Sequence, residues 1–95
     1  MTDVRVVGHI RVRDSEKWER YCSQVPATLA PWGAEVLFRG VKVSSLVGGH
    51  EFTNTVMIRF AGRQAAEAWF ASDAYQALIP LRMEAADIIL LIYEG

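Results

Sequence analysis

Ile88-Ile89-Leu90-Leu91-Ile92-Tyr93, close to the end of this 95-residue chain, is an almost unbroken apolar run. Six residues are short for a helix and suit a strand, and a strand without polar alternation is one whose two faces are both covered. With it the chain runs in the order βαββαβ and places its helices on one side of the sheet. One face of the last strand therefore meets helices, and a second subunit can supply the layer over the other.

The earlier segments give that order. Val4, Val6, Gly8, Ile10 and Val12 alternate with Arg5, Val7, His9, Arg11 and Arg13, the two-residue period of a strand with one apolar and one mixed face. Asp14 suits a helix N-cap, Glu16 suits the positive end of the helix dipole, and Trp18, Tyr21, Cys22 and Val25 repeat at helical spacing from a start near Ser15. Pro26 has no amide proton and Pro31 follows, so the sequence predicts a bend or restart near Pro26 before Gly33 ends the helix. Glu35 to Arg39 reads as a strand, Gly40 as its turn, and Val41 to Val47 as a second strand in hairpin order, broken by Gly48-Gly49-His50. Thr53 to Phe60 alternates again. Ala65, Ala66, Ala68, Trp69 and Phe70 favour a helix, Ser72 or Asp73 stops it and caps a further turn, and Pro80 is tolerated in the first turn of a continuing helix.

Composition sets the outer bounds. A chain of 95 residues makes one domain, and one this short buries only about 60–65% of the surface its unfolded form exposes. Yet 52% of its residues are hydrophobic, above the roughly 45–50% of ordinary globular chains, and that surplus points to a subunit interface. Ten basic and eleven acidic residues leave a net charge of -1 without a basic stripe, which argues against nucleic acid as a partner. Met1-Thr2-Asp3-Val4-Arg5 lacks a charged leader followed by an apolar stretch, and no apolar run approaches the ~18–20 residues that cross a bilayer. The expectation is a cytoplasmic protein without a membrane partner. A lone Cys22 cannot cross-link its own chain and suits a helix-face filler. No repeat or long linker divides the sequence, which leaves one α+β sandwich of ferredoxin-like plan over residues 1–95.

Chemistry-bearing side chains gather in Trp69-Phe70-Ala71-Ser72-Asp73-Ala74-Tyr75 and at Arg82. Trp69 and Tyr75 can hold an aromatic ligand by stacking and a phenolic hydrogen bond, or simply fill the core. Arg82 offers the parallel donors that grip a carboxylate or oxyanion, with structural pairing to Asp73, Glu84 or Asp87 as the alternative. His9, on the strand face opposite Ile10, is the candidate general base, facing a pocket or a dimer interface. Arg39 either steers an anionic substrate or pairs with Glu35. His50 belongs to a turn and reads as solvated. Ser72 has no nucleophile elbow and suits capping, two histidines and one cysteine are too scattered for zinc, and Gly48-Gly49 has no phosphate-loop context.

Asp14-Ser15-Glu16-Lys17-Trp18-Glu19-Arg20-Tyr21, Gly33, Arg39-Gly40, Ala68-Trp69-Phe70, Ser72-Asp73-Ala74-Tyr75, Arg82 and Glu94-Gly95 together resemble the bacterial domain of unknown function thirteen-thirty, from Val6 to Gly95. That family is similar to the wider dimeric α+β barrel superfamily, in which two ferredoxin-like subunits pack sheet against sheet. The resemblance implies a homodimer. It also implies a small-molecule pocket, since the superfamily includes cofactor-free monooxygenases of quinone-like or phenolic substrates, haem-degrading enzymes, and isomerases of small ring compounds. Trp69 and Tyr75 look like the pocket aromatics of the monooxygenase branch. This chain departs from that branch at Ala65, where an asparagine is common, and it has no histidine after Trp69 to ligate a haem iron. Arg59 stands where a glutamate is usual.

The sequence therefore leads to a ferredoxin-like homodimer that binds a small aromatic or keto-acid compound, lined by Trp69, Tyr75 and Arg82 with His9 or Arg39 at the mouth. Any catalysis would be monooxygenase- or isomerase-like, with His9 moving a proton, Arg82 fixing an oxygen, and no cofactor or metal. The alternative is a non-catalytic structural or regulatory dimer with a packed interior.

Overall fold

The computed structural model describes residues 3–95. Strand β1 (Val4–Val12) leads into helix α1 (Ser15–Leu29), a short 3-10 turn (Ala30–Trp32), β2 (Glu35–Val41), β3 (Asn54–Phe60), α2 (Arg63–Ala71), α3 (Asp73–Gln76), α4 (Ile79–Ala85) and β4 (Ala86–Glu94). The four strands form one antiparallel sheet in the order β2-β3-β1-β4. Each of the two βαβ halves thus straddles a strand of the other, which is the ferredoxin-like α+β arrangement. The alternating sequence of β1 produces this directly. Val4, Val6 and Ile10 are buried beneath the helices, while the residues between them are part-exposed on the opposite face.

Asp14 caps α1 as its short carboxylate side chain allows, accepting from the Lys17 amide at 3.1 Å. The restart expected at Pro26 falls later, because α1 carries Pro26 to Leu29 and gives way to the 3-10 turn only at Ala30. Proline removes a single amide donor, and the ring at Pro26 lies on the exposed side of α1. Gly33, with φ of 61°, then ends the turn in the left-handed region.

A second correction concerns Val41 to Val47. Strand β2 does not turn at Gly40: it runs on to Val41, pairing Gly40 with Thr55 and Val41 with Asn54, and residues 42–53 form a loop. Gly40 does not make the turn: its φ is not positive and the Phe38 ring lies over it where a Cβ would collide, so β2 runs straight through and, among the described residues, its outer edge stays unpaired. A bulge between Val36 and Phe38 interrupts the β2–β3 register, and the extra residue reverses the inside-outside parity of the remainder of the strand.

Under the helices, Val4, Val6, Ile58 and Phe60 meet Tyr21, Val25 and Leu29 from α1 with Ala66, Trp69, Tyr75 and Leu78 from the second half. The terminal run divides as its two-residue period dictates. Ile88, Leu90 and Ile92 share the face of Ile10, Gly8 and Val6, while Ile89, Leu91 and Tyr93 share the face of His9, Val7 and Arg5. In a single chain that second face is open, and Tyr93 is 53% exposed.

Gly8 lets β1 sit close beneath the inner side chains, because a Cβ there would stand 2.8 Å from Val56 Cγ1 and 3.0 Å from Leu90 Cδ2. Gly8→Ala is expected to destabilise by about 1–3 kcal/mol through overpacking against a stiff β-branched neighbour. Thermal unfolding followed by circular dichroism checks this, and an unchanged midpoint would refute the close approach.

Candidate functional site

Helix α2 turns Trp69 onto the sheet, where it is 2% exposed and its ring centroid lies 5.4 Å from Phe60 and 4.4 Å from Tyr75. A buried indole N–H needs an acceptor. Thr28 of α1 supplies it at 3.0 Å and donates its own hydroxyl proton to the Val25 carbonyl at 2.7 Å. Ser72 follows as a cap: its hydroxyl donates to the Trp69 carbonyl at 2.6 Å and accepts from the Tyr75 amide at 3.3 Å. That cap sets the start of α3 and sends Tyr75 inward.

Tyr75 is 0% exposed. Arg82 Nη1 donates to its hydroxyl oxygen at 2.9 Å, and the Tyr21 hydroxyl lies 2.8 Å from the same oxygen. A line of hydrogen bonds therefore links α1, α3 and α4 inside the molecule. Burial, reinforced by the Tyr75 hydroxyl, pushes the Tyr21 phenol well above its ordinary value. Arg82 makes no carboxylate pair among the described residues, and its Nε is buried without a partner. The acids considered as partners are otherwise engaged or apart: Glu84 pairs with Lys17 at 3.1 Å, and Asp87 pairs with Arg11 and Arg13. The Arg11 hydrogen bond holds the Asp87 carboxyl below its usual range.

Beside this line lies a cavity of about 440 Å³, walled by Trp69, Phe70 and Arg82 with Ile88, Leu90 and Ile92 from β4. Glu67 of α2 also lines it and pairs with Arg63 at 3.2 Å. A second cavity of about 340 Å³ opens between α1 and the β2–β3 side, with Trp18, Tyr21, Cys22 and Arg39 among its walls. Trp69, Ile88 and Leu90 belong to both, so the indole stands between the two spaces. Burial pushes the Cys22 thiol up, which keeps it in the neutral form of a packing residue.

The residues singled out from sequence thus separate into three places. Trp69, Tyr75 and Arg82 come together, although Tyr75 stands behind the first cavity and holds Arg82 rather than lining it. Arg39 lines the second cavity and has no ion pair among the described residues. The pairing with Glu35 considered from sequence is replaced by Glu35–Arg59 at 3.9 Å. The bulge explains this, since it leaves Glu35 on the outer face and turns Arg39 toward the helices.

His9 is on the outer face, opposite Thr55 and Ile89, with Nδ1 3.4 Å from the Thr55 hydroxyl and its ring 5.3 Å from that of His50. It borders neither cavity. Sequence reasoning missed Glu67, whose only signal is its i, i+3 spacing to Phe70, and it missed Thr28, a buried hydroxyl in an ordinary helical position. Among the described residues no three His, Cys, Asp or Glu side chains are grouped to hold a metal ion.

Fold and cavities together define a ferredoxin-like α+β protein with ligand-sized spaces between its sheet and its helices. The chain belongs to the family described as Domain of unknown function (DUF1330), whose model matches residues 4–95. No curated protein matches it. Among solved structures it is similar to RPA0582, a protein of unknown function from Rhodopseudomonas palustris, with 14% identity, a TM-score of 0.85, and coverage of 99% of this chain and 82% of that one. It is also similar to SnoaB, a cofactor-independent oxygenase from Streptomyces nogalater, with 8% identity, a TM-score of 0.74, and coverage of 100% and 94%. A dimeric ferredoxin-like protein of unknown function from Thermobifida fusca matches with 11% identity, a TM-score of 0.66, and coverage of 99% and 92%. At these identities the likeness is one of fold. Among the described residues no helix is long and apolar enough to cross a membrane.

The Tyr21 phenol yields a prediction with a definite sign. Its folded-state pKa is raised, so its contribution to stability is complete below the unfolded value of about 10 and is lost as pH rises above it. Urea midpoints measured from pH 8 to 11 should fall at the alkaline end, and Tyr21→Phe should flatten that fall. An equal alkaline decline in both proteins would show that this phenol is not responsible.

Proposed function

We propose that this chain is a homodimeric small-molecule-binding protein whose ligand is a small aromatic or keto acid held in the cavity beside Trp69. The observation that carries the reading is Arg82: a guanidinium with no carboxylate partner among the described residues and a buried, unpaired Nε, set in the wall of an apolar space of about 440 Å³. A space of that size falls within the range of ordinary ligand pockets, and a guanidinium in its wall without a carboxylate partner among the described residues offers donors to a ligand oxygen. Phe70, Ile88, Leu90 and Ile92 offer a flat ring apolar contact, while Arg82 takes its carboxylate or enolate oxygen.

The same arrangement suits monooxygenase- or isomerase-like chemistry of the cofactor-free kind. Arg82 would stabilise negative charge on an enolate oxygen, and the likeness in fold to a cofactor-independent oxygenase supports that direction. Within the first cavity Glu67 is the carboxylate placed to move a proton. His9, proposed from sequence for that step, would serve instead where it stands, on the outer sheet face. The contrasting reading, a structural or regulatory dimer filled by its own side chains, draws support from Tyr75, which has no exposed surface, but it leaves the space beside Trp69 unexplained.

The homodimer is supported by the open face of the sheet. Phe38, Ile89, Leu91 and Tyr93 are exposed there. Absence from membranes and nucleic acid, and a place in the cytoplasm, complete the reading.

Calorimetric titration with benzoate, salicylate and phenylpyruvate tests the ligand class. Saturable binding that weakens about 10- to 100-fold in Arg82→Lys, which keeps the charge but loses the planar fork, is expected. Absence of binding to all three, or equal affinity in the variant, would sink the assignment. Equilibrium sedimentation at micromolar concentration should give twice the chain mass, and a persistent monomer would remove the dimer.

A further inference from the structure

The loop of residues 42–53 carries Val43, Leu46 and Val47, which are 94%, 99% and 95% exposed. It is a built segment. The Lys42 amide donates to the Thr53 carbonyl at 2.7 Å, Lys42 Nζ to the His50 carbonyl at 2.6 Å, and the Thr53 amide to the Ile10 carbonyl at 2.9 Å. The Ser45 hydroxyl donates to the Gly48 carbonyl, and Gly48 turns the chain with φ of 64°. Three aliphatic side chains are thus held out into water, each forgoing the free energy that burial would return.

The loop is rooted beside the open sheet face. His50 and Phe52 pack their rings 5.3 and 6.3 Å from that of His9, which lies on that face. The area of the face explains what the loop adds. Four strands of seven to nine residues span roughly 25–30 Å by ~19 Å, and a stable interface buries about 800 Å² on each partner. The apolar row of this face runs across its middle, at Phe38, Met57, Val7 and Leu91, with Tyr93 beside Arg5 and Arg59 towards one end and Ile89 beside His9, then Arg11, towards the other. The three loop residues are almost fully exposed, whereas Phe38, Ile89, Leu91 and Tyr93 are each only 40–53% exposed. An anionic lipid surface has little to attract it here, since the loop's cation, Lys42, is accompanied by Glu51.

We propose that residues 42–53 form a clasp that closes over a second copy of this chain, burying Val43, Leu46 and Val47 at the rim of a sheet-to-sheet interface. The inference rests on the homodimer proposed above and adds the element that makes it stable. The sheet middle supplies one apolar layer, and the two clasps, one from each copy, seal its ends.

Analytical ultracentrifugation over a range of concentrations, run on the wild-type chain and on a variant combining Leu46→Ser with Val47→Ser, tests this. The clasp requires a dimer whose Kd rises about 10,000-fold in the variant, taking roughly tenfold for each of the four aliphatic side chains removed per dimer, with the far-ultraviolet spectrum unchanged. A wild-type dimer with the same Kd in the variant overturns the clasp and leaves the homodimer standing. A wild-type monomer at every concentration overturns both. Hydrogen exchange on the unaltered chain gives a second readout: the amides of residues 42–53 should slow as dilution is reversed and the dimer fraction rises, and exchange independent of concentration would overturn the clasp.

Discussion

Tyr75 imposes the constraint around which the interior is arranged. A phenol with no exposed surface must find its hydrogen-bond partners inside the molecule, and leaving one unpaired costs about 1–3 kcal/mol. Its partners come from two helices far apart in sequence, Tyr21 on α1 and Arg82 on α4. Satisfying one hydroxyl therefore fixes the first half of the chain against the second and settles where a guanidinium stands. Trp69 repeats the logic on the preceding helix, since its indole proton reaches Thr28 of α1. The apolar core gives the halves a reason to meet, and these two polar connections select the register in which they do so.

That arrangement gives the cavity beside Trp69 its chemical character. The Arg82 guanidinium is held at one nitrogen by Tyr75 while its Nε is left buried without a partner. Carboxylates that could have neutralised it are drawn elsewhere, Glu84 to Lys17 and Asp87 to Arg11 and Arg13. Positive charge at an apolar wall follows from where those acids are engaged as much as from the arginine itself.

The fold is legible in the sequence because its signals are periodic. The alternation from Val4 to Val12 marks the central strand, Asp14 marks the start of α1, and the run from Ile88 to Tyr93 marks the last strand and its two apolar faces. Val41 to Val47 misleads because Gly40, which reads as a turn, instead makes room for the Phe38 ring while β2 runs straight through it. Of the site, the clustering of Trp69, Tyr75 and Arg82 can be read from their nearness in one short stretch of sequence. The buried position of Tyr75 cannot, since it depends on a partner 54 residues away. Alternation places His9 opposite Ile10 correctly, but parity alone does not say which face the helices cover.

The bulge between Val36 and Phe38 has a consequence for how relatives of this chain can diverge. A strand that keeps strict alternation changes the character of a face only by substitution, one residue at a time. Here a single inserted position exchanges inside for outside along the rest of β2, which is how Arg39 comes to border a cavity while Glu35 remains with Arg59 on the other surface. Loss of one residue at that point would return Arg39 and Val41 to the outer surface together. In this strand, length is as direct a carrier of binding character as residue identity, and alignments that treat a gap there as neutral would pair side chains that never occupy the same side of the sheet.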